Sequence, residues 1–194
     1  LRYRPQTRLK RGARGHVIIC GWDAVTEALT RSLASENIPY VVLELDVERV
    51  RALEETRVNA VHGDPTEAES LRNVRVETAR MVVANMSDPD NANVVLTTRS
   101  VGSTPVTAVV TQPERAQLMT VAGATHAVPL RETLGNYLAV RATTRGARGH
   151  VVDSLGDLLF AEIPSHGTPF VGSSPFNGIG LALVALDHLI SAPS

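Results

Sequence analysis

The chain has 194 residues, 43% of them hydrophobic and 4% aromatic, with 19 Lys and Arg against 20 Asp and Glu. That length suits one globular α/β domain with a smaller fragment beside it. The lone cysteine, Cys20, excludes a disulfide within the chain and points to a reducing, cytoplasmic setting; the near-neutral charge argues against nucleic acid as a partner, and no run of about eighteen apolar residues reads as a membrane span.

Arg2, Arg4, Arg8, Lys10, Arg11 and Arg14 crowd residues 1–14 with no acid among them. They read as a basic linker, either lying along an anionic surface ahead of a cytosolic domain or simply solvated. No signal-peptide pattern is expected in this stretch.

His16 to Cys20 is a run of the β-branched kind that fills a buried parallel strand. Gly21 breaks it. Asp23 is placed to cap a helix whose Val25, Ala28, Leu29 and Leu33 fall at helical spacing, and Asn37 and Pro39 end that helix. Tyr40 to Leu43 make a second strand, closed by Glu44 and Asp46. Strand, glycine turn, helix, strand and an acid about twenty residues on outline a dinucleotide-binding βαβ unit. Two glycines of G-x-G-x-x-G are replaced, by Asp23 and Thr26. The second glycine lets the backbone approach a pyrophosphate, so Asp23 puts a carboxylate near the phosphates. A βαβ unit with an ordinary turn gives the same outline, and the residues leave both readings open.

The spacing next predicts a helix over 46–57 with Val47, Val50 and Leu53 on one face, and a strand over 58–62. The turn HGDPT (62–66) follows, and Thr66 with Glu69 reads as a capping box opening a short helix through Leu71 and Val74. Residues 80–84 read as a strand. Asp88 and Pro89 read as N-cap and first residue of a helix burying Val94, Val95, Thr98 and Val101. A strand at 105–110, a helix opened by Pro113 with Leu118, Met119 and Ala122 inward, and a strand at 125–128 complete the alternation. A last helix over 130–141 carries the stripe Leu130, Leu134, Tyr137 and Leu138. The fold class expected is α/β, a doubly wound, six-stranded parallel Rossmann-like sheet of order 3-2-1-4-5-6, with ligands at the carboxyl ends of its strands.

The organisation expected is a linker at 1–14, the Rossmann-like domain at 15–141, a linker or crossover helix at 142–156, and the start of a small C-terminal subdomain at 157–194. In that last part, 157–163 reads as a strand, 169–174 as a turn, and 179–190 as either strand or helix. RGARGHV occurs at 11–17 and again at 145–151, and is expected to be chance recurrence rather than duplication.

Glu44, Asp46, Asp64, Asp88, Asp90 and Glu114 all fall near strand ends, where a hard cation would find several carboxylate oxygens. Asp88, Asp90 and Glu114 are the candidate ligands for Ca2+ or another divalent cation. Acids at such turns are equally ordinary helix caps. The histidines, at 16, 62, 126, 150, 166 and 188, show no triad or metal-ligand spacing, and Lys10 is the only lysine. The chain is therefore not expected to be an enzyme. A nicotinamide-dependent oxidoreductase and a stand-alone nucleotide-binding oligomer are the alternatives.

HVIICGW (16–22), VHGDPT (61–66), RMVVA (80–84) before an acidic turn, and VAGATHAVPL (121–130) together resemble the RCK domain, also called KTN or TrkA-N. Such domains regulate potassium channels and transporters from the cytosol. The blocks fall in family order over 16–141, and CGW resembles the subgroup of calcium-gated prokaryotic potassium channels and Castor/Pollux-like ion channels. The resemblance implies a site for NAD(H) or an adenine nucleotide formed by Gly21, Trp22, Asp23, Glu44, Asp46, Gly63, Asp64, Pro65, Thr66 and Asn85. It implies ligand-driven conformational change, and pairing through the helix after strand six into a ring. It implies a pore-forming membrane subunit, or a fused pore segment, as partner at the cytoplasmic face of the cell membrane. Calcium-gated members carry three acids at positions that match Asn85, Gln112 and Glu114 here.

Overall fold

The computed structural model describes residues 3–143, 150–155, 158–164 and 179–185. They belong to two compact units, Leu1–Pro129 and Leu130–Ser194.

The first unit alternates strands and helices as the apolar runs predict. β1 (Val17–Cys20), β2 (Tyr40–Glu44), β3 (Ala60–His62), β4 (Met81–Ala84), β5 (Val106–Val110) and β6 (His126–Pro129) form a sheet of order 3-2-1-4-5-6. Every neighbouring pair is parallel. The connections are α1 (Ala24–Ser35), α2 (Val47–Glu55), α3 (Ala68–Asn73) with a 3-10 turn at Val76–Thr78, α4 (Asp88–Val101) and α5 (Arg115–Ala122).

Successive side chains of a strand point to opposite faces, and here both faces are covered. Ile18, Cys20, Val41, Leu43, Val82 and Ala84 pack on one side with Leu71, Val94, Val95 and Met119. Val17, Ile19, Val42 and Val83 pack on the other with Val50 and Leu53 of α2. Double coverage is why the strands read as unbroken apolar runs rather than as alternating ones. Burial pushes the Cys20 thiol up to about 12.

Three local expectations are corrected. The face of α1 that reaches the core carries Thr26 and Thr30, while Val25 and Ala28 are exposed and Leu29 and Leu33 half-buried. Threonine is tolerated there because its hydroxyl bonds within the helix, Thr30 Oγ1 donating to the Glu27 carbonyl at 2.8 Å. Thr66 and Glu69 do not form a capping box, since α3 starts after Glu67 and has no side-chain cap. The Thr66 hydroxyl donates to Asp64 Oδ1 instead, at 2.7 Å. At α4 the cap is Ser87, whose Oγ accepts from Asp90 N; Asp88 is already the first helical residue.

The basic N-terminal segment is fastened to the domain. Tyr3 Oη donates to Glu54 at 2.7 Å, His62 N to the Gln6 carbonyl at 2.7 Å, and Leu9 N to the Asn73 carbonyl at 3.0 Å. Gly15 N and the Ala13 carbonyl both bond Thr78. Leu9 packs on the core, and Arg51 lies over the Tyr3 ring.

The second unit holds α6 (Leu130–Thr143) and an antiparallel sheet of β7 (His150–Leu155), β8 (Leu158–Pro164) and β9 (Ile179–Ala185) in the order 7-8-9. β7 occupies residues expected to be linker, and β8 matches the strand expected at 157–163. β9 takes the strand alternative for 179–185; the turn expected at 169–174 lies outside the described residues. Among the described residues no helix is long and apolar enough to cross a membrane.

Candidate functional site

In a sheet of this order the chain leaves the central strands β1 and β4 in opposite directions, which opens a crevice at their carboxyl ends. Gly21 ends β1 at φ +93°, a conformation that side chains resist. A Cβ there would stand 2.3 Å from the Asn85 carbonyl oxygen and 3.0 Å from Met86 Cγ. Asn85 N in turn donates to the Cys20 carbonyl at 2.9 Å, so the two turns are locked back to back. The first glycine of the fingerprint is thus required by the close approach of β4, as a tight Rossmann turn needs.

Asp23 completes the turn. Its Oδ1 accepts from Val25 N at 2.9 Å and Thr26 N at 3.0 Å, while its own N–H donates to Thr26 Oγ1 at 2.9 Å. Burial alone would raise the Asp23 carboxyl, but the Thr26 backbone, the Asn85 side chain, Val25 N and the Thr26 hydroxyl outweigh it and hold it below the usual range. Asn85 Nδ2 is buried and has no hydrogen-bond partner.

One strand over, Glu44 ends β2 with its side chain 9% exposed. Its Oε1 accepts from Asp46 N at 3.1 Å, and its Oε2 lies 3.6 Å from Arg49 Nη1. Arg49 Nη2 also donates to the Trp22 carbonyl at 3.5 Å, so this guanidinium spans the ends of β1 and β2. Asp46 caps α2 through Glu48 N and Arg49 N. Between the two acids Leu45 is 55% exposed and gives the rim an apolar surface. Trp22 and Arg49 also line a cleft of about 590 Å³ between α1 and α2, with Thr30, Tyr40 and Leu53 on its walls.

The 62–66 turn closes the β3 side. Gly63 N donates to the Glu44 carbonyl at 3.0 Å, and a Cβ on Gly63 would press Ser70 Oγ at 3.0 Å and Leu43 Cδ1 at 3.1 Å. Asp64 Oδ1 accepts from Thr66 N and Thr66 Oγ1, Pro65 is buried, and the Thr66 carbonyl accepts from Thr97 Oγ1 at 2.9 Å. The candidate residues Gly21, Trp22, Asp23 and Asn85 therefore gather at β1 and β4, and Glu44, Asp46 and Gly63 to Thr66 beside them at β2 and β3.

Asp88, Asp90 and Glu114 are not gathered in this way. Asp88 Oδ1 accepts from Thr111 N at 3.0 Å and its Oδ2 faces Arg115 at 4.0 Å. Asp90 Oδ2 accepts from the Ser87 hydroxyl at 2.5 Å, and Glu114 sits at the start of α5. Among the described residues no group of three or more His, Cys, Asp or Glu is placed to hold a metal ion. The Asn85, Gln112 and Glu114 positions supply one acid between them, too few for a calcium centre.

Two residues that brace the rim gave no motif. Arg49 is 27 residues from the carbonyl it bonds. Asn91, fully buried, bonds Met86 N, the Met86 carbonyl and the Val109 carbonyl, and so braces the turn that carries Asn85.

Residues 17–129 match the model of the TrkA-N domain. The chain belongs to the TrkA-N family. The crystal structure of the GsuK RCK domain is 47% identical with a TM-score of 0.71, over 90% of this chain and 38% of that one. The GsuK channel bound to NAD is 46% identical with a TM-score of 0.71, over 89% of this chain and 32% of that one. GsuK bound to ADP is 45% identical with a TM-score of 0.70, over 74% and 38%. A putative K(+) efflux antiporter KefB of Alkalimonas amylolytica is 30% identical over 77 residues, 40% of this chain and 12% of the antiporter. This TrkA-N chain spans well under half the length of each of these relatives.

At the TrkA-N rim the Gly21 turn leaves no Cβ between the crevice and Asn85, and a buried carboxylate, Glu44, ends the neighbouring strand.

Proposed function

We propose that this TrkA-N domain is a ligand-sensing regulatory module of a potassium channel or transporter, and that its ligand is NAD(H) or another adenine nucleotide. Glu44, fixed by Asp46 N and Arg49, would accept the ribose hydroxyls, with Leu45 beside the base. The turns at Gly21 and Asn85 would face the phosphates. The observation that carries the reading is the Gly21 turn packed against Asn85 with a buried acid one strand away. GsuK, solved with NAD and with ADP, supports the choice of ligand.

The module would act by changing shape rather than by making or breaking bonds. Supporting this, the rim side chains are engaged as caps and ion pairs, and His16 lies buried with Nε2 bonded to the Val74 carbonyl at 2.8 Å, away from the crevice. We place the module at the cytoplasmic face of the membrane, working on a pore-forming subunit or fused pore segment. Leu134, Tyr137 and Leu138 leave α6 apolar and exposed, a surface suited to a second copy in a ring.

Calorimetric titration with NAD and ADP tests the ligand. Binding by the wild type, and its loss in a Glu44→Ala protein that circular dichroism shows still folded, is expected. Unchanged binding in Glu44→Ala would remove the ribose assignment.

A further inference from the structure

A helix start leaves four N–H groups without intrahelical acceptors, and in the glycine-rich fingerprint these receive the pyrophosphate. In α1 three of the four are already satisfied within residues 23–26. Val25 N and Thr26 N bond Asp23 Oδ1, and Asp23 N bonds Thr26 Oγ1. An anion therefore sits at the positive end of α1, and it is the protein's own. The turn after β4 brings Asn85, whose Nδ2 is buried without a hydrogen-bond partner, against the Gly21 turn that leads into this helix.

We infer that Asp23 sets the selectivity of the rim among nucleotides, as an internal carboxylate that competes with ligand phosphate and penalises each added phosphate charge. This rests on the nucleotide reading above and adds a class preference to it. A dinucleotide whose pyrophosphate is a diester on both sides is favoured over nucleoside di- and triphosphates, which end in a more highly charged monoester. Arg49 does not cancel the penalty, because its guanidinium is held between Glu44 and the Trp22 carbonyl.

Asparagine caps helices about as well as aspartate, so Asp23→Asn removes the charge and keeps the turn. Calorimetric titration of the full chain with NAD, ADP and ATP, at low and high salt, reads the effect. The wild type should bind NAD more tightly than ADP, and ADP more tightly than ATP. Asp23→Asn should tighten ADP by about fivefold or more and ATP by more again, with NAD changing by about threefold or less. Screening should shrink the difference between the two proteins near 0.5 M salt, where the Debye length falls to roughly 4 Å. An equal change for all three ligands, or none, overturns the inference while leaving the nucleotide reading intact if Glu44→Ala still loses NAD. Failure of wild type, Asp23→Asn and Asp23→Gly to bind any of the three would overturn both.

Discussion

Of the glycines described, Gly21 leaves the least room for a side chain, so Gly21→Ala is a sharp test of the rim. At φ +93° a side chain costs about 1–2 kcal/mol in backbone energy. The new Cβ would also lie 2.3 Å from the Asn85 carbonyl oxygen, far inside contact distance, and the obstacle is backbone rather than a side-chain tip. Relief requires β1 and β4 to part at their ends. That would break the Asn85 N to Cys20 carbonyl bond, worth about 1 kcal/mol net, and loosen the packing around Met86. Those two costs come to about 2–3 kcal/mol before any loss of packing, which for a chain of this size lowers the unfolding midpoint by roughly 4–12 °C or more. The single tryptophan, Trp22, adjoins the substitution and reports both unfolding and rim geometry. Urea unfolding followed by Trp22 fluorescence and by circular dichroism gives the number. A loss under about 1 kcal/mol would mean that the turn is not locked against β4.

Thr98 is fully buried and its Oγ1 has no hydrogen-bond partner, so Thr98→Val should be neutral or stabilising by up to about 1 kcal/mol; a clear loss would reveal a partner for the hydroxyl. Cys20, with its thiol pushed up to about 12 and no exposed surface, should react with a thiol reagent at pH 8 only on opening, and labelling in native buffer at the rate of a free thiol would refute the buried strand. Because the Asp23 carboxyl is held below its usual range, its stabilisation is complete above the unfolded value near 3.9 and is lost as pH falls through the folded one. The stability gap between wild type and Asp23→Ala, which lacks the cap, should therefore be flat from pH 7 to about pH 5 and narrow below about pH 4, as read from urea midpoints; a gap that widens in acid would contradict the capping geometry.

The sheet was legible because its information is local. Runs such as Val17–Cys20 and Val82–Ala84 carry their own burial signal, and the glycine, acid and proline signals between them mark the turns. The caps were legible in type but not in address. Ser87, Asp88 and Asp90 are all competent caps, and the choice falls to Ser87 because Asp88 is drawn to Thr111 N on another loop. Thr66 was similarly claimed by Asp64 before it could serve α3. The inward face of α1 was misjudged because Thr26 and Thr30 satisfy their hydroxyls inside the helix and can be buried like valines. Arg49 and Asn91 had no local mark at all, since their roles come from partners brought close by the fold.

The outer strand of a parallel sheet is an invitation to a foreign strand, and β3 is such a margin. Residues 3–15 act as its hem: the Gln6 carbonyl takes the His62 amide, and Leu9 plugs the core beside α3. A chain shortened to begin at His16 would lose hem and plug together. Its expected fate is polymer growth along β3, on the same strand that leads into the 62–66 turn.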